Sequence, residues 1–187
     1  MDPLTLLHQG VLFAHLVTFA IALSTVLRAD LGLLRARYLD TARLAATARR
    51  LTGALALLWL SGAALVAFDA GFDLQSWLAS AKTTAKLLVV AALTANGLAL
   101  HTLAFPRLRR TALRPAMRAT LPLVLGAIST ASWLFASFVG ASRLIAPSMR
   151  LTDFLALYAL VVVVAIGGAL LFVRRRVERL MLEPGSL

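Results

Sequence analysis

LTLLHQGVLFAHLVTFAIALSTVL, residues 4–27, decides the fold. It holds no charged residue other than its histidines across 24 positions, and a helix needs about 20 such residues to cross roughly 30 Å of hydrocarbon at 1.5 Å per residue. Four more stretches of comparable length and character follow, at 51–70, 83–105, 121–142 and 153–173. In lipid every backbone N–H and C=O must find a partner within the spanning element, so runs of this length form helices. The expected fold is all-α: a single domain over 1–187, built as an integral membrane bundle of five transmembrane helices.

Charge sets the expected orientation. The chain carries 19 Lys and Arg against 8 Asp and Glu, a net charge of +11. Fifteen of the 19 fall on one side: Arg28, Arg35, Arg37, Arg43, Arg49 and Arg50, then Arg107, Arg109, Arg110, Arg114 and Arg118, then Arg174, Arg175, Arg176 and Arg179. Only Lys82, Lys86, Arg143 and Arg150 fall on the other. Basic loops stay in the cytoplasm, so the N-terminus is expected outside and the C-terminus inside. Residues 4–27 lack a basic leading region and a small-residue cleavage site, and are expected to remain in the mature protein. Positive charge confined to inner loops serves topology and attracts anionic lipid headgroups, so nucleic acid is not an expected partner.

The connections are short except at 28–50, RADLGLLRARYLDTARLAATARR, where Leu31, Leu34, Tyr38 and Ala42 recur at three- and four-residue steps. This segment reads as a continuation of the first helix, as an amphipathic helix on the inner leaflet, or as a solvated basic loop. The outer connection at 69–82 carries Asp69, Asp73 and an interfacial Trp77. Small residues at four-residue spacing, Ala14, Thr18 and Ala22 on the first helix and Ser132, Ala136 and Gly140 on the fourth, provide faces for close helix packing, as do Gly167 and Gly168 on the fifth.

Ionisable groups within a bilayer are costly and are therefore candidates for function. They comprise His8 and His15 on the first helix and Lys86 and His101 on the third, with the polar Asn96 between the last two. His15 lies near mid-membrane, about 16 Å below the start of its helix, and His101 about 27 Å below the start of its own. Two axial ligands of one haem belong at similar depth on facing helices, so His15 and His101 are separate candidates more readily than a pair. Lys86 reads as a residue whose stem reaches the headgroups, as an anchor for a carboxylate, or as a partner of Asp69 or Asp73. Arg28 and Asp30 read as boundary residues, with an ion pair or a propionate contact as the functional alternative.

Residues 86–108, KLLVVAALTANGLALHTLAFPRL, resemble a helix of the copper-resistance-D family of bacterial inner-membrane proteins, in which a lysine opens an apolar helix that closes with a polar residue and a proline. The same lysine-led helix, together with His15 in LLHQGVLFAHL, is similar to the HemJ-type protoporphyrinogen oxidases, small helical membrane proteins that bind haem. Asn96 stands where the HemJ pattern places a histidine, and Thr120 where the copper family often has an acidic residue. The resemblance implies a bacterial inner-membrane location and, on the HemJ side, haem b with His15 as metal ligand and Lys86 in contact; His101, as a second candidate metal ligand, and Asn96, as a candidate cofactor contact, come from their place in the third segment.

Other chemistries lack their residues. There is no cysteine, which removes disulfides, thiolate metal sites and thiol nucleophiles, and Met1, Met117, Met149 and Met181 form no ladder for Cu(I). Neither a G-x-S-x-G elbow nor an H-E-x-x-H pair occurs. Thr94, Asn96, Ser129, Thr130 and Ser132 supply part of a polar line or, equally, bonds between helices. Three readings follow: a haem- or porphyrin-binding redox protein, a small transporter or metal-ion permease, and a non-catalytic subunit that packs against a protein partner or a second copy of itself.

Overall fold

The computed structural model describes residues 2–38, 40–70, 80–108 and 115–180. Among them the chain is all-helical, with five helices long and apolar enough to cross a membrane. These are α1 (Pro3–Arg35), α2 (Thr41–Ala70), α3 (Ala81–Leu108), α4 (Pro115–Ala141) and α5 (Leu151–Leu180). A short 3-10 turn, Ala146–Ser148, precedes α5.

Each helix outruns its hydropathic segment because polar residues cap and extend it. The Asp2 carboxylate accepts from the Leu4 N–H ahead of Pro3, which suits the first turn because it has no N–H to satisfy. Asp40 accepts from the Arg43 N–H at 2.8 Å, so α2 starts at Thr41 rather than at 51. The basic stretch 28–50 is thereby divided: 28–35 completes α1 and 41–50 opens α2, with an extended Ala36 between them. No separate amphipathic helix forms there. Ser80 caps α3 through the Thr83 N–H, and Asp153 accepts from the Arg150 N–H at 2.7 Å at the start of α5. Asp73 and Trp77 lie outside the described residues.

Two helices carry π turns. In α3 this is Leu100–Ala104, where the Phe105 N–H reaches back to the Leu100 carbonyl. Pro106 follows at once and has no N–H for the regular α-helical bond, which makes the wider turn the local solution. In α5 it is Ala169–Val173, just after Gly167 and Gly168.

Packing divides the bundle in two. α1 lies along α2, and α4 lies against both α3 and α5, while the two groups meet through sparser contacts. Three apolar clusters fill the interior. Ala85, Val89, Phe135, Val139 and Phe154 join α3, α4 and α5; Ala22, Val26, Leu58, Leu93 and Trp133 join the two groups; Leu108, Ala119, Leu123, Val177 and Leu180 close the arginine-rich end. Of the four-residue small faces, Ala22 and Ser132 are buried, whereas Ala14 and Gly140 are exposed. Phe13, Leu60, Leu171 and Phe172 point outward, the disposition lipid requires.

Candidate functional site

His15 is half-buried and faces α2, where its Nδ1 lies 2.7 Å from the Ser61 Oγ. The Ser61 Oγ also lies 2.7 Å from the Leu57 carbonyl. With the hydroxyl on that carbonyl its oxygen accepts from Nδ1 of His15 and Nε2 keeps its lone pair; with the hydroxyl turned to the ring, Nδ1 accepts and Nε2 carries the proton. The ring sits over the uncovered backbone of Gly62, and a Cβ there would meet His15 Cε1 at 3.6 Å, an ordinary contact. Imidazoles that bind metals are usually held in this way, with one nitrogen donating to an oxygen so that the other is presented.

Lys86 opens α3 on an exposed face, close enough to His15 and Asp69 to act electrostatically on both. It makes no ion pair among the described residues; Asp69 instead lies 3.4 Å from Nε2 of His8, whose ring stacks on Phe68 with centroids 5.5 Å apart. His15 and Lys86 are thus the two candidates that the fold brings into one neighbourhood.

His101 and Asn96 go elsewhere. His101 Nε2 lies 3.2 Å from the Thr52 Oγ1, which also bonds the Ala48 carbonyl at 3.0 Å. Its ring meets Phe105 edge-on at 5.4 Å. The two histidines contact Ser61 and Thr52 of the same helix, nine residues and so about 13 Å apart along α2. They do not converge on one ion, and no group of three or more His, Asp or Glu does so among the described residues. Asn96 is buried at 6% exposure and faces α4, where its Nδ2 donates to the Leu125 carbonyl at 3.0 Å while Oδ1 has no partner.

Asp30, read from the sequence as a boundary residue near the inner end of α1, also bonds across to α4. It forms no ion pair with Arg28; its carboxylate accepts from the Thr130 hydroxyl at 2.6 Å, near the middle of α4. The signal was present in the spacing, since Ala22, Val26 and Asp30 recur every four residues and the first two are buried. Arg118, grouped above with the loop arginines, is buried; its guanidinium donates to the Leu108 carbonyl at the end of α3, while its Nε has no partner among the described residues.

The remaining polar groups tie helices together. Trp59 donates to Thr94 at 3.0 Å and Ser132 bonds Tyr158 at 2.8 Å, so Thr94 and Ser132 form bonds between helices rather than lining a continuous path. No family model, curated protein or solved structure matches the chain, and the likeness of 86–108 and of His15 to the two families rests on those residues alone.

Proposed function

We propose that the chain is a multi-pass protein of the bacterial inner membrane, with its N-terminus outside and its C-terminus in the cytoplasm, that binds haem b or a related porphyrin through His15. The observation that carries this reading is the half-buried imidazole of His15 on α1, held by Ser61 at Nδ1 so that Nε2 is the nitrogen left for a ligand. Lys86 supports it, because a nearby ammonium suits the propionates of such a ligand. His101 meets the same helix about 13 Å from His15 and does not converge with it, so the reading is ligation by one histidine rather than two. A bound haem would supply a one-electron couple; the protein's part would be to hold it by His15, whose ring Ser61 orients, with the Lys86 ammonium toward its propionates.

The test is an ultraviolet–visible spectrum of protein purified in mild detergent from haem-replete cells, oxidised and dithionite-reduced. A Soret band that shifts on reduction, persists in His101→Ala and vanishes in His15→Ala is expected. A featureless spectrum overturns the haem reading and leaves the transporter and partner-subunit readings, which flux assays and co-purification separate. A band lost with His101→Ala instead moves the ligand.

A further inference from the structure

Toward the arginine-rich end, α1, α2, α3 and α4, with Val177 of α5, line a half-open recess of ≈ 140 Å³ beside Asp30. Its walls are mostly apolar, with Val26, Leu51, Leu100, Phe105 and Leu123 among them, and among the described residues no lysine, arginine or histidine lines it. Among the described residues the Asp30 carboxylate is the one ionisable group there, and Thr130 is its one hydrogen-bond partner. Ser129 and Thr47 add hydroxyls at the edge.

Both irregularities of the neighbouring helices open onto this space. Pro122 interrupts α4 and has no N–H for the carbonyl of Arg118 four residues earlier. Leu100 and Phe105 bracket the π turn of α3. Broken helical backbone at membrane depth persists where it is buried in protein or lines a cavity, and π turns recur at functional sites. Carboxylate, recess and helix breaks are three separate features that coincide in one place.

We propose that this recess is a binding site for a small organic cation, an alkylammonium of about six heavy atoms, with Asp30 as its counter-ion. The volume sets the size: a cavity of about 150 Å³ lined by apolar side chains accommodates one benzene ring. The charge follows from the carboxylate, which has no cationic partner among the described residues. The apolar walls favour an organic cation over a bare metal ion, since Ca²⁺ takes about six to eight oxygens and one carboxylate with a few hydroxyls falls short. Thr130 orients the carboxylate, and its hydroxyl also lies 3.2 Å from the Gly126 carbonyl. This site is distinct from His15, which does not line the recess.

The experiment is thermal unfolding of the full chain in detergent, followed by tryptophan fluorescence, with cyclopentylammonium at pH 7 and its neutral counterpart cyclopentanol as probes. The cation is expected to raise the midpoint in a saturable way and cyclopentanol is not. Asp30→Asn should weaken the apparent affinity at least about tenfold, as expected for loss of a charge-assisted hydrogen bond. Gly126→Leu keeps the carboxylate but fills the recess, and should abolish the shift; nothing lies within 4 Å of a Cβ at that glycine, so the helix accepts a side chain. Equal stabilisation by cyclopentanol, an unsaturable or absent shift with the cation, or retention of the shift in both folded variants overturns the proposal.

Discussion

At the scale of the residue, hydroxyls decide what the histidines present. Ser61 and Thr52 each bond a carbonyl four residues back on α2, and each holds one nitrogen of the histidine opposite. The two differ in which nitrogen is held and so in which is left free: Nδ1 is held in His15, Nε2 in His101. Ser61→Ala removes that constraint without touching the ring. It should cost about 0.6 to 2 kcal/mol, the range for one hydrogen bond between helices in a membrane, read as a lower unfolding midpoint in detergent. Under the haem reading the same variant should lower hemin affinity about 10- to 100-fold in a spectral titration, the usual effect of deleting a partner behind a metal-binding imidazole. A variant that loses stability but titrates like the parent confines Ser61 to packing. His15 could be chosen from the sequence because an ionisable group in an apolar run stands out. Its partner could not, because Ser61 is one of several hydroxyls and only the register of α1 against α2 brings it to the ring.

At the scale of the element, lengths and ends are set by a few capping residues that hydropathy does not weigh. Five apolar runs gave the number and order of the helices directly. Their ends depend on Asp40, Ser80 and Asp153, whose effect is local and polar. Asp40 has the largest consequence, since it starts α2 well before the apolar run begins and so turns the basic stretch 41–50 into helix. Asp40→Ala should cost about 1 kcal/mol, the usual value of an N-cap, whereas Asp40→Ser should cost much less because serine caps nearly as well. Equal destabilisation by the two would show that the carboxylate serves something other than the cap. The same local chemistry accounts for Asp30. α1 runs 33 residues, about 50 Å, so a carboxylate that hydropathy places just past the first span stands on the same continuous helix, four residues beyond buried Val26. Arg118 adds a role that the topology rule does not weigh: an arginine near a helix end also binds a carbonyl there.

At the scale of the whole molecule, the α1–α2 pair and the α3–α5 group each pack closely, and side chains join them: Trp59 to Thr94, His101 to Thr52, Asp30 to Thr130, and Phe19 against Trp133. Lipid is as apolar as leucine, so association within a membrane is carried by such contacts and not by exclusion of water. The proposed orientation is open to direct measurement, because a chain without cysteine accepts single reporters cleanly. A cysteine at Asp2 should react with a membrane-impermeant maleimide in intact spheroplasts, and one at Arg37 only after lysis; the reverse pattern overturns the orientation. The joint between the two groups can be probed by the pair Trp59→Phe and Thr52→Val, which removes two of its hydrogen bonds and leaves both apolar bodies in place. Bonds of this kind average about 0.6 kcal/mol in membranes, so each change alone should lower the unfolding midpoint slightly and the two together by nearly their sum. Because Thr52 and Trp59 are seven residues apart on one helix, about 10 Å, with separate partners on α3, a loss well beyond the sum would mean that the two groups separate as a cooperative step once the ties are cut.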